Sequence, residues 1–528
     1  MPDKLQTPGV YTNELSAFPD SVVQLPTAVP AFIGYTPQAS YQGKSFINRP
    51  QKISSFADFQ AIYCIPDPPP VNEHGTPADP ARQYSPQYYL VQQKSQPAKG
   101  NYINIDGTFY SIVPDPNTIY YLYNSIRLFY ANGGGDAYIV SVGGYGPQSK
   151  QPATPGDVIV NPNIKLSDLL GGLTLLKKEL EPTMYICPEA TLLTVADNAT
   201  LIQAMLLQCS QMQTAISIFD IIGAKDPDPV LYTNDIATFR SNTGNIGLSY
   251  GAAYYPFIGT TIMQQKEIDL TNLFDGDVDQ LRPLIDPPGK QVPNITTILD
   301  HVYHPNSLLS PGDYSDLLLN ISKVYSDIMD LVLADANLLP ASGAMAGVIT
   351  SVDNQMGPWH APANVSITNV VSLPLNLNDT QQAGLNVDIT GKSINALRSF
   401  VAQGILVWGA RTLDGNSQDW RYINVRRTII MIEQSCMQAV KAYVFEPNDN
   451  NTWVSITSML SNFLTGIWKQ GGLQGATAAD AFTVACGLGT TMTGDDILNR
   501  TLNVTIKLAI THPAEFIAIT FQQQQQQA

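Results

Sequence analysis

One string in the sequence has the spacing of a catalytic serine motif. Gly247-Leu248-Ser249-Tyr250-Gly251 matches GxSxG, in which the serine lies on a sharp turn from a strand into a helix and an acid and a histidine follow. Ser249 instead lies in an apolar run that continues through Tyr255 with no helical pattern after it. The histidines that follow Ser249 are His301, His304, His360 and His512. Chain order therefore leaves an α/β serine hydrolase open as an alternative, whereas the local pattern favours strand glycines in a packed sheet.

A second string resembles a phosphate-binding loop. Gly391-Lys392-Ser393 has the residues that end such a loop, but Asn386 occupies the position where the motif requires its first glycine. Without that glycine, successive backbone N–H groups cannot wrap a phosphate. We therefore predict no nucleotide site here and expect Lys392 in the first turn of a helix.

Two groups of potential metal ligands are incomplete. His301 and His304 could share a helix face, but no third ligand lies at motif spacing. Asp275, Asp277 and Asp279 resemble a calcium loop in which glycine comes too early and no glutamate closes the frame. We predict no catalytic, cofactor or metal site in the chain.

Composition limits the class of protein further. The 528 residues carry 28 Lys and Arg against 44 Asp and Glu, a net charge of −16, and only 14% of residues are charged. Nonspecific binding to nucleic acid needs the opposite balance, so no direct nucleic-acid partner is expected. Five scattered cysteines without a CxxC pair favour a reducing compartment. No signal-peptide pattern and no apolar run of about 18 residues is found, which predicts folding in the cytoplasm without membrane insertion.

Secondary-structure patterns predict an α/β fold. Helical segments alternate with short apolar strands, which is typical of a parallel sheet with helices on both faces. The predicted strands cover residues 31–35, 137–142, 184–187, 215–222 and 246–257. The predicted helices of this region cover residues 54–63, 117–130, 166–180, 198–209 and 234–240.

The C-terminal part is predicted as an α+β domain. Helices are expected near residues 394–403, 425–443 and 452–470, and strands at 405–408, 502–510 and 515–521. Residues 502–510 alternate between apolar and polar side chains, as a half-buried strand does. The whole chain then divides into an extended N-terminal arm (1–30), the N-terminal part of the core (31–65), an irregular insertion or small β subdomain (66–115), the α/β domain (116–257), an inserted outer region (258–380), a C-terminal core domain (381–512) and a C-terminal strand arm with a glutamine tail (513–528).

Both arms present strand edges that invite pairing with another chain. The residues expected to pair with neighbours are Val10, Tyr11, Thr12 and Leu15 in the N-terminal arm and Phe516, Ile517, Ile519 and Phe521 in the C-terminal arm. Burying four apolar side chains contributes about 6–12 kcal/mol, and ordering six backbone residues costs about the same. One arm alone is therefore close to neutral, and exchange among many subunits favours a polymer.

Several strings, in this order, resemble the contractile tail sheath proteins of phages and phage-tail-like injection systems. They are TPGVYTNEL, PTAVPAFIGYT, RLFYANGGGDAYIVSV, VWGARTL, DWRYINVRR, FEPNDNNTW and HPAEF. The resemblance covers roughly 140 residues at each end and, more loosely, the α/β stretch between them. Residues 66–115 and 258–380 match no pattern of the family.

This resemblance implies a structural subunit without catalysis or a cofactor. Sheath subunits stack as hexameric rings or a helical homopolymer around an inner tube, exchange terminal strands, and contract to drive the tube through a target envelope. The resemblance also implies a subtilisin-like α/β domain. The implied partners are further copies of the chain, the inner tube protein, and baseplate and cap or terminator proteins, in a phage tail or tail-like particle that lysis could release.

Four arginines stand out in the C-terminal part of this acidic chain: Arg411, Arg421, Arg426 and Arg427. We hypothesise that some of them pair with acidic groups of a neighbouring or tube subunit. Pairs within the subunit that order the core are the alternative. For the chain as a whole, a non-polymerising surface or binding protein is the other alternative besides the hydrolase.

Overall fold

The structure, a computed structural model, describes residues 21–64, 84–304, 307 and 309–516. They separate into two compact units. The larger contains Pro26–Arg427 and the segment that starts at His512, and the smaller contains Thr428–Thr511 and the segment that ends at Leu25. All five cysteines are free, and four of them are buried. None of the described helices has both the length and the apolar character needed to cross a bilayer.

The elements are numbered in chain order. The strands are β1 (Pro30–Thr36), β2 (Ser40–Tyr41), β3 (Lys44–Ser45), β4 (Gln51–Ile53), β5 (Tyr88–Gln93), β6 (Tyr102–Ile105), β7 (Thr108–Pro114), β8 (Ala137–Gly144), β9 (Met184–Ile186), β10 (Ile216–Asp220), β11 (Gly251–Tyr255), β12 (Ile258–Thr260), β13 (Leu338–Leu339), β14 (Val365–Ser366), β15 (Val370–Ser372), β16 (Asn395–Phe400), β17 (Gly404–Trp408), β18 (Phe482–Cys486) and β19 (Val504–Leu508). The helices are α1 (Phe56–Tyr63), α2 (Leu122–Ala131), α3 (Leu166–Leu175), α4 (Val195–Met212), α5 (Tyr232–Asn242), α6 (Val278–Ile285), α7 (Pro293–His301), α8 (Pro311–Ile321), α9 (Lys323–Ala336), α10 (Ser342–Met356), α11 (Asp379–Asn386), α12 (Ile423–Val440), α13 (Asn450–Lys469), α14 (Ala478–Ala481) and α15 (Gly494–Leu498).

A nine-stranded sheet forms the centre of the larger unit. Its strand order is β14-β17-β16-β11-β10-β9-β1-β8-β4. The six strands from β16 to β8 run parallel to one another, and antiparallel strands complete both edges. The prediction of a mainly parallel α/β sheet is confirmed.

Both faces of this sheet are covered by helices, as strand β1 shows. Successive residues of a strand point to opposite faces. The ring of Phe32 lies 5.5 Å from that of Phe129 in α2, whereas the side chain of Ile33 meets α3 at Gly172. Helix α10 packs beside α2, and α4 packs beside α3. Every residue of β1 is buried, which explains its continuous apolar sequence.

The prediction of a helix near residues 394–403 is wrong, because these residues form β16 and the turn towards β17. Lys392, expected in a helix, lies in the irregular segment before β16. Ile394 and Leu397 are spaced as on a helix face, but Asn395 pairs with Tyr254 of β11 and extends the sheet. Because the first residues of β16 are buried on both faces, they show no strand alternation.

The strand predicted at residues 246–257 is also partly wrong. Leu248–Tyr250 form a 3₁₀ turn, and β11 begins only at Gly251. Gly247 precedes the turn with φ +67°, in the left-handed region that glycine adopts without strain. The turn therefore separates Ser249 from the apolar strand in which it was expected.

The two segments predicted as insertions contribute to one hydrophobic core. Strands β5, β7 and β6 form a three-stranded antiparallel sheet, which corresponds to the small β subdomain among the two alternatives. Its residues Tyr88 and Ile112 belong to the same buried cluster as Leu318 of α8 and Ile328 of α9. These residues lie far apart in the sequence, and no local pattern reveals that they meet. The six predicted boundaries between the seven segments stay a prediction.

Glycines allow helices α2 and α10 to approach each other closely. A Cβ atom at Gly343 would lie 2.5 Å from the carbonyl oxygen of Ser125, and one at Gly347 would lie 2.5 Å from that of Phe129. Backbone oxygens inside a helix cannot move aside individually, so the helices themselves would have to separate.

We expect Gly347→Ala to lower the free energy of unfolding by about 1–3 kcal/mol, the usual cost of overpacking, although alanine is the better helix former. Urea denaturation followed by circular dichroism measures the change. The matched control is Gly384→Ala in α11, where an added Cβ meets no atom within 4 Å. This control should be neutral or stabilise the chain by up to about 1 kcal/mol. Equal losses at both positions would contradict the close-approach explanation.

Glu189 is a fully buried carboxyl group that follows strand β9. Its Oε1 atom accepts a hydrogen bond from the backbone N–H of Leu122, the first residue of α2, at 3.0 Å. Burial raises the pKa of Glu189 to about 8, because the charged form would lose its hydration. The carboxyl group is therefore mostly protonated in the folded chain at pH 7.

The raised pKa of Glu189 makes stability depend on pH. Since the folded chain holds this proton more tightly than the unfolded chain, its contribution to stability is full below about pH 4.5 and is lost as the pH rises towards about 8. Glu189→Gln removes this proton, so it should change stability little at pH 5 and raise it by about 2–4 kcal/mol at pH 9. Urea denaturation at both pH values measures the difference. An equal effect of the substitution at both values would contradict a buried, protonated Glu189.

Candidate assembly site

A two-stranded antiparallel sheet lies in the smaller unit. β18 pairs with β19 from Phe482 opposite Leu508 to Cys486 opposite Val504. In β19, Val504, Ile506 and Leu508 are half-buried, while the residues between them are exposed. Helix α13 packs against β18 and carries a buried apolar stripe. Its members include Ile456, Leu460, Leu464 and Ile467.

Each of these two strands has one edge without a strand partner among the described residues. In an antiparallel pair only every second residue points its N–H and C=O groups outward, so each free edge carries those groups of two or three of its five residues. Two open edges on one short sheet are a template for strand addition from another chain. The side chains of Val504, Ile506 and Leu508 in β19 are only half-buried, so residues of another chain can still pack against them.

Most of the predicted arm residues lie outside the described residues. This holds for Val10, Tyr11, Thr12 and Leu15 of the N-terminal arm and for Ile517, Ile519 and Phe521 of the C-terminal arm. Phe516 is described, and its side chain is 83% exposed. The pairing of both arms with neighbours stays a prediction.

Arg411 is buried in the larger unit and faces the start of the C-terminal arm. Its guanidinium group forms a two-pronged ion pair with the carboxylate of Glu515, and its Nη1 atom donates to the carbonyl oxygen of Asn386 at 2.9 Å. Pairing with Glu515 favours the charged guanidinium and raises the pKa of Arg411. Arg421 is half-buried, and its Nε atom donates to the carbonyl oxygen of Gly415 at 2.8 Å.

Arg426 lies between two aromatic rings at the beginning of α12. Its guanidinium carbon is 3.5 Å from the ring centre of Trp420 and 4.2 Å from that of Tyr250. Its Nη2 atom donates to the hydroxyl oxygen of Ser249 at 2.7 Å. Stacking of this kind is strong when the cation is desolvated, so Arg426 fixes the 3₁₀ turn before β11 against the beginning of α12.

Arg427 forms a buried ion pair with Asp353, near the end of α10. Two hydrogen bonds of 2.7 and 2.6 Å join the guanidinium and carboxylate groups, and their side chains are 3% and 2% exposed. Arg427 also donates to the carbonyl oxygen of Thr27 at 2.7 Å, and the hydroxyl group of Thr27 donates to Asp353. In the described chain all four arginines therefore have partners in their own subunit, and contacts with a neighbour or tube stay a prediction.

The geometry around Ser249 does not match a nucleophile. Its hydroxyl oxygen accepts a hydrogen bond from Arg426, and a guanidinium group only donates, so it cannot remove a proton from the serine. A 3₁₀ turn and then a strand follow Ser249, where a nucleophile elbow requires a helix.

The other candidate ligand groups have local structural roles. The Nζ atom of Lys392 donates to the carbonyl oxygen of Arg240, and Asp277 caps the N-terminus of α6. Asp275 pairs with Lys150. Among the described residues, no group of three or more His, Cys, Asp or Glu side chains is arranged to hold a metal ion.

Sequence reasoning missed two parts of this region. β18 was not predicted, although Phe482, Val484 and Cys486 alternate with smaller or polar residues, which is a strand signal. Asp353, the partner of Arg427, carries no signal at all, because it is one of several aspartates and the ion pair joins distant helices.

Comparison with known proteins gives one family match. Residues 416–524 match the phage tail sheath C-terminal domain, so the match includes β18, β19 and Glu515. The tail sheath protein of Vibrio phage KVP40 is 29% identical over 138 residues, which make up 26% of this chain and 20% of that protein. The chain thus spans about a fifth of the length of this relative.

Two solved structures share the fold over nearly the full length. The sheath complex of an extracellular contractile injection system (PVC) in its contracted state is 22% identical, with a TM-score of 0.57 and coverage of 99% of this chain and 98% of that one. A chain of the anti-feeding prophage baseplate in its contracted state is 21% identical, with a TM-score of 0.61 and coverage of 98% and 99%. At this identity the likeness is one of fold.

Proposed function

We propose that this chain, whose residues 416–524 match the phage tail sheath C-terminal domain, is a structural subunit of a contractile tail sheath that polymerises around an inner tube and drives the tube through a target envelope by contracting. The observation that carries the proposal is the two-stranded β18–β19 sheet with two open edges, which lies within the residues that match the family. The proposed role requires no catalysis, cofactor or metal. The subtilisin-like character of the α/β domain is part of the proposal.

Neighbouring subunits supply the strands that cover the two open edges. Two edges match two arms, so an N-terminal arm with Val10, Tyr11, Thr12 and Leu15 covers one edge and a C-terminal arm with residues 516–521 covers the other. Each added strand pairs the free N–H and C=O groups of one edge and covers half-buried side chains such as those of β19. Since one arm is nearly neutral in free energy, the lattice depends on many exchanges acting together.

The proposed partners follow from this role. They are further copies of the chain in hexameric rings or a helical homopolymer, an inner tube protein, and baseplate and cap or terminator proteins. The likeness to a chain of the anti-feeding prophage baseplate supports the baseplate contact. The particle is a phage tail or a phage-tail-like injection system that is assembled in the cytoplasm.

Loss of the C-terminal arm should abolish assembly without unfolding the subunit. A chain that ends at Pro513 keeps β18, β19 and residues 509–511 but lacks residues 516–521, which are proposed to cover a neighbour's open edge. We expect hollow striated tubes from the full chain and dispersed particles from this variant, by negative-stain electron microscopy and sedimentation in the presence of the tube protein. A chain that ends at Phe521 is the matched control, because it lacks only the glutamine tail, and it should form tubes. Ordered tubes from a chain lacking both residues 1–15 and residues 514–528 would contradict the proposal.

A further inference from the structure

We propose that Arg411 and Tyr422 clamp the carboxylate of Glu515 and thereby fix the place and direction in which the C-terminal arm leaves the larger unit. The three residues are called the Glu515 clamp. In this role Arg411 and Tyr422 are positioning residues for strand exchange and not contacts to a tube or neighbour. The inference rests on the proposed function and assigns it a determinant within the subunit.

Arg411 and Tyr422 both donate hydrogen bonds to the carboxylate of Glu515. The Nε atom of Arg411 donates to Oε1 of Glu515 at 2.9 Å, and its Nη2 atom donates to Oε2 at 2.5 Å. The hydroxyl group of Tyr422 donates to Oε2 at 3.2 Å. A two-pronged guanidinium–carboxylate pair fixes orientation as well as distance. Glu515 is therefore held in one position and one direction.

The clamp has a rigid base in the central sheet. The backbone N–H of Arg411 donates to Oδ1 of Asn395 at 2.7 Å, and the Nδ2 atom of Asn395 donates to the carbonyl oxygens of Arg411 and Ala253 at 2.8 and 3.1 Å. Asn395 is fully buried at the start of β16. Arg411 and Tyr422 also form an antiparallel β-bridge, which places their Cα atoms opposite each other.

Side chains, and not a strand, hold the segment that leads to the arm. Residues 511–516 have no regular secondary structure. Besides the Glu515 contacts, the ring of His512 lies 6.1 Å from that of Tyr422 in an edge-to-face arrangement. Directly after the clamp, Phe516 is 83% exposed. The clamp therefore ends where the apolar residues available to a neighbour begin.

A fixed starting point is what strand addition needs. Alternate residues of a strand face opposite sides, so a slip of one residue would turn the apolar side chains of the arm away from the neighbour's sheet. A held Glu515 limits such slips, because Phe516 is the next residue. It also orders the start of the arm before binding, which lowers the entropy lost on assembly.

The hydrogen bonds that Arg411 already makes within the chain argue against a contact with another subunit. Arg411 is 4% exposed. Its Nε, Nη1 and Nη2 atoms all donate hydrogen bonds to acceptors in the same chain. A neighbour could reach this guanidinium only if the clamp opened.

The test compares Glu515→Gln with Asp419→Asn in the full chain. Both substitutions remove one negative charge from an exposed residue of the larger unit, but only Glu515 pairs its side chain, which is 21% exposed, with Arg411. Glutamine keeps the shape of Glu515 and loses the charged two-pronged pair. In the unassembled chain, cleavage by a nonspecific protease within residues 512–516 should become about tenfold faster in Glu515→Gln and stay unchanged in Asp419→Asn. Glu515→Gln should also lower the melting temperature, because Arg411 is 4% exposed and loses its charged partner, so both readouts are taken well below the unfolding midpoint, where the variant is still folded.

Assembly is the second readout. Sedimentation and electron microscopy with the tube protein should show at least about tenfold less polymer for Glu515→Gln at equal concentration, and wild-type levels for Asp419→Asn. Tyr422→Phe, which removes one hydrogen bond, should give a smaller loss. Unchanged cleavage at 512–516, or full assembly of Glu515→Gln beside a wild-type chain that forms tubes, would overturn the clamp but not the proposed function. An equal loss of assembly in Asp419→Asn would also overturn it, because that substitution leaves the Glu515 clamp intact.

Discussion

The backbone N–H and C=O groups at the outer edges of β18 and β19 need hydrogen-bond partners, and this need is the main constraint on the subunit. A strand edge presents N–H and C=O groups that must be paired by another strand or by water, and this sheet has only two strands among the described residues, so both outer edges are open. A subunit meant to remain alone would cover such edges. Here the edges lie in the segment that matches the sheath C-terminal domain, and the apolar strand-like sequence at the two ends of the chain is proposed to cover them. On the proposed function, neighbouring subunits supply the missing strands.

The larger unit is tightly packed and internally paired. Its parallel sheet is covered on both faces, and glycine contacts bring α2 and α10 close together. Its buried cations are used internally: Arg427 with Asp353, Arg426 between Trp420 and Tyr250, and Arg411 with Glu515. A buried charge is tolerated only when paired and hydrogen-bonded, so these pairs specify single local geometries. The Glu515 pair extends that fixed geometry to the third residue of the C-terminal arm.

Much of the fold could be predicted from the sequence, because the central strands are short, apolar and separated by helices. Strand β1 and helix α4 are examples in which local pattern and tertiary role agree. β16 is the opposite case, since burial on both faces removed its alternation and Ile394 and Leu397 fell at helical spacing. Ion pairs between distant helices, such as Arg427 with Asp353, leave no pattern in a single sequence. For the candidate site, the alternation of β19 predicted one strand, while its partner β18 was found only in the structure. The residues proposed to pair with β18 and β19 were singled out by composition and resemblance, and most of them lie outside the described residues.

The most direct measurement is a cryo-electron microscopy reconstruction of the assembled polymer at a resolution that traces β18 and β19. The account predicts a four-stranded sheet at this position, with one strand from residues 7–15 of one neighbour and one from residues 516–521 of another. A polymer in which β18 and β19 remain two-stranded and the arms lie elsewhere would contradict the central claim.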